Sequence, residues 1–290
     1  MKSQVRNNIK YFLQLSKLKI MIPVSLTGFT GYFIFDSRIS LKIFLVTLGI
    51  LLLAISASIL NQIQEIESDS KMTRTQNRPL PTRKITIRLT LAGFFFTLLS
   101  GTVIIYSAGN LTASLIGLLT IVWYNGIYTY IKKITAFAVV PGAVTGALPP
   151  LIGWVAAGGG VWDKSILFVE FLFFIGQVPH FWLLILKYGE EYEKAGFPSM
   201  TAIFSRSQIN RITFTWVVTS VIAALFLCHF GIIHTGLIAG ILLIASSIII
   251  WQFSNLLTTE DKSNYKRYSF LLDSYFLLLL VLLISDRLIT

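Results

Sequence analysis

Long apolar runs, each near twenty residues and separated by short polar stretches, repeat along the whole chain. They fall at about 20–36, 41–62, 85–107, 111–131, 136–157, 165–187, 212–231, 235–254 and 268–287. A helix of that length matches the hydrocarbon thickness of a bilayer. The pattern predicts an all-α integral membrane protein, a bundle of about nine transmembrane helices. No intervening segment is long enough for a separate soluble domain, so residues 1–290 read as one polytopic domain. The first apolar run follows charged residues but precedes no evident small-residue cleavage site, and it reads as a retained helix.

Composition agrees. Of 290 residues, 54% are hydrophobic and 13% charged, against about 25% charged in soluble domains. The net charge of +11 raises the possibility of a nucleic-acid partner, and its distribution argues against one. With loops assigned to alternate sides, 20 of the 24 Lys and Arg residues fall on one side, Lys2, Lys17, Lys132 and Lys262 among them. Such an asymmetry marks the cytoplasmic face. It predicts a cytoplasmic N-terminus and an outside C-terminus in the inner (cytoplasmic) membrane of a cell. The lone Cys228 excludes an intramolecular disulfide and reads as a packing residue.

The second run ends in unusual chemistry, "LNQIQEIESDSKMTRTQNRPLP". If its helix continues past the membrane core, Asn61, Glu65 and Asp69 stand at i, i+4 and i+8 and share a face. Glu67 lies about 160–200° of rotation away. Three oxygen donors, two of them anionic, suit Mg²⁺, which takes one or two carboxylates and completes its shell with water and phosphate. Arg74 and Arg78 follow at i, i+4, and guanidinium groups grip phosphate oxygens in pairs. The row reads either as a metal-bridged diphosphate site or as a solvated loop whose acids and bases pair with one another.

Four further polar concentrations stand out. "YNGIYTYIKK" carries Tyr124, Tyr128 and Tyr130, interfacial belt candidates, and Lys132 and Lys133, either flanking charges or diphosphate contacts. "PGAVTGALPPLIGW" is expected to break the fifth span; its Gly142, Gly146 and Gly153 serve either close packing or a cavity wall. "GQVPHFWLLILKYGEEYEKAGFPSM" places Gln177 and His180 inside the sixth span, with Glu190, Glu191 and Glu193 expected beyond its end. An intramembrane His is costly and therefore a functional candidate, or else one satisfied by a neighbouring helix. Glu170 and Asp273 read as helix–helix hydrogen-bonding groups.

Taken together these stretches resemble the UbiA-type intramembrane prenyltransferases, and within them the group that farnesylates heme. The resemblance rests on Asn61, Glu65, Glu67, Asp69, Met72, Arg74-Thr75 and Arg78-Pro79-Leu80, then on "YTYIKKIT", "GAVTGALPPLIGW", "QVPHFW" and "EEYEKAGFPSM", in the family's order. It implies a helix bundle around a central apolar cavity. The implied reaction moves a farnesyl group from farnesyl diphosphate to a vinyl group of heme b, giving heme O. Glu65, Asp69, Glu191 and Asn61 are then the Mg²⁺ ligands, Arg74, Arg78 and Lys132 the diphosphate contacts, and His180, Gln177 and Tyr128 the wall of the heme or prenyl pocket. Heme A synthase or terminal oxidase assembly are the implied partners, beside the lipid bilayer. The chain departs from the family where Glu65 and Glu67 replace the superfamily's Asp, where Lys133 replaces Arg, and where Gly176 replaces a common Trp; the last bears on acceptor identity. A quinone precursor or chlorin as acceptor, a transporter, and a non-catalytic heme-binding protein are the other readings. A transporter should place charges mid-span in several helices, whereas here the acids collect at one face.

Overall fold

A computed structural model describes residues 2–258 and 264–290, without the side chains of residues 2–5; the Lys2 side chain and Lys262 lie outside the described residues. Among the described residues, nine helices are long and apolar enough to cross a membrane. In chain order the elements are α1 (Lys2–Leu15), α2 (Leu18–Phe35), α3 (Leu41–Gln64), α4 (Ile66–Lys71), α5 (Ile87–Ala108) and α6 (Leu111–Ile121). A π-helical segment (Val122–Tyr128) and the short α7 (Thr129–Ile131) complete the fourth span. Then come α8 (Val139–Ala156), α9 (Lys164–Lys194), α10 (Arg206–His229), α11 (Gly236–Ser254) and α12 (Asn264–Ile289).

Each expected span is present, with four differences of physical interest. First, the polar N-terminus is a helix. α1 buries Leu15 and packs Phe12 beside Ile55, Ile59 and Phe94, so its apolar stripe docks on α3 and α5 while Arg6 and Lys10 stay exposed. Second, α9 runs on to Lys194, so Glu190, Glu191 and Glu193 ride on a helix where a loop was expected. Third, α3 does not continue unbroken: Glu65, at φ −115° and ψ 14°, separates it from α4. Fourth, the fifth span is not broken. α8 passes through Pro149 and Pro150 as one helix.

α8 is the centre of the bundle: the most apolar stretch of the fifth span is 61% buried, while those of the third, fourth and eighth are 28% buried and turn apolar faces outward. Small residues let α8 and α2 touch backbone to backbone. A Cβ on Gly31 would stand 2.0 Å from the Pro150 carbonyl oxygen, and one on Gly153 would stand 1.9 Å from the Gly28 oxygen. Such contacts give helices in lipid the van der Waals packing that holds them together.

Candidate functional site

The site begins on one face of α3. Leu53, Ala57, Asn61 and Glu65 follow at i, i+4 spacing, so the face passes from apolar to polar as it leaves the bundle. The turn at Glu65 keeps the register, because the Asp69 N–H still donates to the Glu65 carbonyl at 2.7 Å. Asn61, Glu65 and Asp69 are buried, at 2, 6 and 1% exposure. Glu67 points away, 85% exposed, and pairs with Lys71 at 2.6 Å.

Each buried acid has a basic partner from another segment. Lys132, at the end of α7, pairs with Glu65. Arg78 donates from Nη1 to Asp69 Oδ2 at 2.6 Å. The loop carrying Arg78 is fixed by the Thr75 hydroxyl, which donates to the Asp69 carbonyl at 2.9 Å, and by Met72, which packs on Ala195 and Phe197 beyond α9. That packing brings the end of α9 to the same mouth. There the Arg74 N–H donates to Glu191 Oε2 at 3.2 Å, and the Arg74 guanidinium lies 4.8 Å from the Tyr188 ring centre. Glu191 therefore binds the loop backbone and is not gathered with Glu65 and Asp69. Among the described residues no three His, Cys, Asp or Glu side chains come close enough to hold a metal by themselves. The fit to Mg²⁺ rests on the carboxylates of Glu65 and Asp69 and the Asn61 amide oxygen. These are hard oxygen donors of the number that ion takes from protein when phosphate and water supply the rest.

The π-helical segment shapes the opposite wall. Its wider turn lets Thr129 Oγ1 reach back five residues to the Tyr124 carbonyl at 2.8 Å, and the same hydroxyl receives the Asn61 amide at 3.2 Å. Asn125 donates to the Ala57 carbonyl and to Gln64 Oε1, both at 3.1 Å, and Gln64 returns a bond to the Asn125 carbonyl at 2.9 Å. This zipper turns Tyr124 and Tyr128 inward, stacked at 5.5 Å. Such π-turns concentrate at functional sites. Sequence reasoning missed Asn125 and Gln64; two amides amid apolar runs were the available signal.

It also missed Lys17 as a site residue, counting it only as a flanking charge. Lys17 links α1 to α2 in the left-handed region, φ 44°. The Leu15 carbonyl just before it is clamped by Ser58 Oγ at 3.1 Å and Gln62 Nε2 at 2.7 Å. The ammonium is thereby set in the field of Arg78, Asp69, Glu65 and Lys132. Burial, then the Arg78 charge, lowers its pKa to about 8. Lys17, Arg78 and Lys132 thus stand near Glu65 and Asp69, with Arg74 and Glu191 beside them at the same mouth.

Beneath lies an apolar cavity of about 290 Å³, walled by α2, α3, α6, α8, α9 and the π-helical segment, with Leu53, Ala57, Tyr124, Tyr128, Gln177 and His180 among its lining. The glycines of α8 serve both readings of that stretch. Gly153 is a packing contact, whereas a Cβ on Gly146 would meet Gln177 at 2.7 Å and one on Gly142 would meet Tyr128 at 2.6 Å, so these two leave room for pocket side chains. His180 bonds through Nδ1 to Asp273 of α12 at 2.9 Å, the helix–helix bond expected of Asp273. The space above Gly176 is filled by Phe276 of α12, whose Cζ would lie 2.0 Å from a Cβ there. An aromatic ring from another helix thus packs directly over the position where the family commonly carries Trp.

Comparison with known proteins agrees with this architecture. The family model described as the UbiA prenyltransferase family matches residues 24–280. The chain is similar to a protoheme IX farnesyltransferase of Cytophaga hutchinsonii, 33% identical over 83% of this chain and 87% of that one. One from Oleidesulfovibrio alaskensis is 35% identical over 64% of this chain and 65% of the relative's length. Among solved structures, one described as a digeranylgeranylglyceryl phosphate synthase superposes with a TM-score of 0.77 at 21% identity, over 98% of this chain and 99% of that one. A UbiA homolog from Archaeoglobus fulgidus bound to GPP and Mg²⁺ gives 0.68 at 15% identity, over 93% and 99%. With the model match spanning nearly all of the helical bundle, the chain belongs to the UbiA prenyltransferase family.

Proposed function

We propose that this chain transfers the farnesyl group of farnesyl diphosphate to a vinyl group of heme b, giving heme O. One observation carries the reading: two buried carboxylates paired with Arg78 and Lys132 stand beside Tyr124 and Tyr128, at the end of a mostly apolar cavity. Breaking the farnesyl C1–oxygen bond leaves an electron pair and negative charge on diphosphate, and preorganised positive groups at that place lower the barrier. Arg78 and Lys132 are already held there by Asp69 and Glu65, so they need little reorganisation, and the backbone clamp on Leu15 keeps Lys17 nearby. Mg²⁺ held by Glu65, Asp69 and Asn61 would further neutralise the departing diphosphate. The walls of Leu53, Ala57, Tyr124 and Tyr128 keep water from the allylic cation. Gln177 and His180, on the far wall, are where the acceptor docks. Orientation follows from charge: the mouth opens to the cytoplasm, where both diphosphate and heme precursors reach the inner membrane. The product fits a partner that uses heme O, a heme A synthase or an oxidase in assembly.

Relatives named protoheme IX farnesyltransferase support heme as acceptor, and the neighbour bound to GPP and Mg²⁺ supports the diphosphate and metal. Expression in cells lacking heme O synthase, with mass analysis of extracted hemes, tests the reading. Heme O appears with the native chain and not with Glu65→Ala. Unmodified heme b together with a newly prenylated lipid refutes the acceptor.

A further inference from the structure

The His180–Asp273 pair has no task in releasing diphosphate, which the charged mouth performs. Its geometry is nonetheless specific. Asp273 lies nine residues into α12, roughly 14 Å from the helix start. An ionised carboxylate accepts and does not donate, so the 2.9 Å bond requires the proton on Nδ1. In the neutral ring that leaves Nε2 free to accept a proton, and the ring lines the cavity. Pro179 and the edge contact with Phe181 at 6.0 Å restrict the ring. The pair is not sealed: the His180 side chain is 33% exposed and Asp273 57%. A carboxylate facing hydrocarbon costs several kcal/mol, which favours water on the exposed side of this pair.

The chemistry of the acceptor supplies a task. When the vinyl π electrons form the new bond to farnesyl C1, the carbon attached to the pyrrole ring becomes cationic. That cation either loses an adjacent proton to leave an alkene or captures water to give an alcohol. Capture needs one water and a base for its proton.

We propose that His180 is the catalytic base that ends the reaction by activating this water, with Asp273 as its positioning residue. The water oxygen bonds to the cationic carbon, one hydrogen stays on the new hydroxyl, and the other passes as a proton to Nε2, then to solvent from the exposed side of the pair. Asp273 stabilises the imidazolium and holds the ring. This rests on heme as the acceptor.

The test incubates the native protein, His180→Ala, Asp273→Ala and Asp273→Glu with heme b and farnesyl diphosphate in water enriched in heavy oxygen, then weighs the hemes. The native product carries heavy oxygen. In His180→Ala the ratio of alkene product, lighter by one water, to alcohol rises about a hundredfold, the lower end for a positioned base. In Asp273→Ala it rises about tenfold, the scale for a residue acting through another, and Asp273→Glu restores it. Alcohol and alkene in the native ratio in both alanine variants overturns the proposal while leaving heme farnesylation intact. Loss of heme binding in both, read from the heme absorption spectrum, also overturns it in favour of an iron ligand. A native chain that releases diphosphate but leaves heme unmodified refutes the acceptor itself.

Discussion

Replacing Lys17 by Met separates binding from stability. Burial and the Arg78 charge lower the ammonium pKa from 10.5 to about 8. The folded-state pKa of a base is therefore depressed: the unfolded chain holds more protons between pH 8 and 10.5, and native stability rises with pH across that window. Below pH 8 the charge is carried at a cost of no more than about 3 kcal/mol, 1.36 kcal/mol per pKa unit. Lys17→Met removes that cost, so at pH 7 the variant unfolds at higher temperature or denaturant than the native protein. Binding goes the other way. A diphosphate beside Lys17 restores its ordinary pKa, so on binding Lys17 takes up from solvent about half a proton at pH 8, about 0.9 at pH 9 and about 0.1 at pH 7. Affinity for a non-hydrolysable farnesyl thiodiphosphate falls up to tenfold per pH unit above 8. Titration calorimetry in buffers of different ionisation enthalpy counts the protons, and the difference between native and Lys17→Met isolates those of Lys17 from those of the ligand. Equal uptake in the two proteins, or a variant both less stable and unchanged in affinity, refutes the placement of Lys17 at the diphosphate.

Asp69→Asn leaves Arg78 without its ionic partner and the metal without a ligand; Mg²⁺-dependent diphosphate release, read by a coupled phosphate assay, drops about 10²–10³-fold. Gly31→Ala drives a methyl into the Pro150 carbonyl, 2.0 Å from its Cβ, and overpacking of that kind costs about 1–3 kcal/mol, read as a lower melting temperature in detergent. Gly176→Trp collides with Phe276 and destabilises the fold similarly, while adding Phe276→Ala to it recovers stability in the same melt.

Reading the chain succeeded where the physics is local. Membrane length and hydropathy located the spans, because each helix in lipid must satisfy its own backbone irrespective of neighbours. Helical period put Asn61, Glu65 and Asp69 on one buried face and turned Glu67 outward, and this survived the bend at Glu65 because the Asp69 N–H still reaches the Glu65 carbonyl. The expected break at Pro149 and Pro150 failed for a tertiary reason. Those residues lie in the most buried span, pressed on Gly28 and Gly31, where packing holds the helix through its missing donors.

Hydropathy, charge placement and helical period are enough to give a polytopic bundle, its charge asymmetry and the acidic row that makes diphosphate chemistry thinkable. Tertiary structure decided which bases meet those acids. Lys132 reaches Glu65 across 67 residues of chain and Asp273 reaches His180 across 93, and no periodicity carries information over such separations. It also set Lys17 in the field of Glu65 and Asp69 and tied Glu191 to the Arg74 backbone. A side chain's charge state and partners depend on what lies within a few ångströms, and only the packing of α2, α3, α9 and α12 sets that.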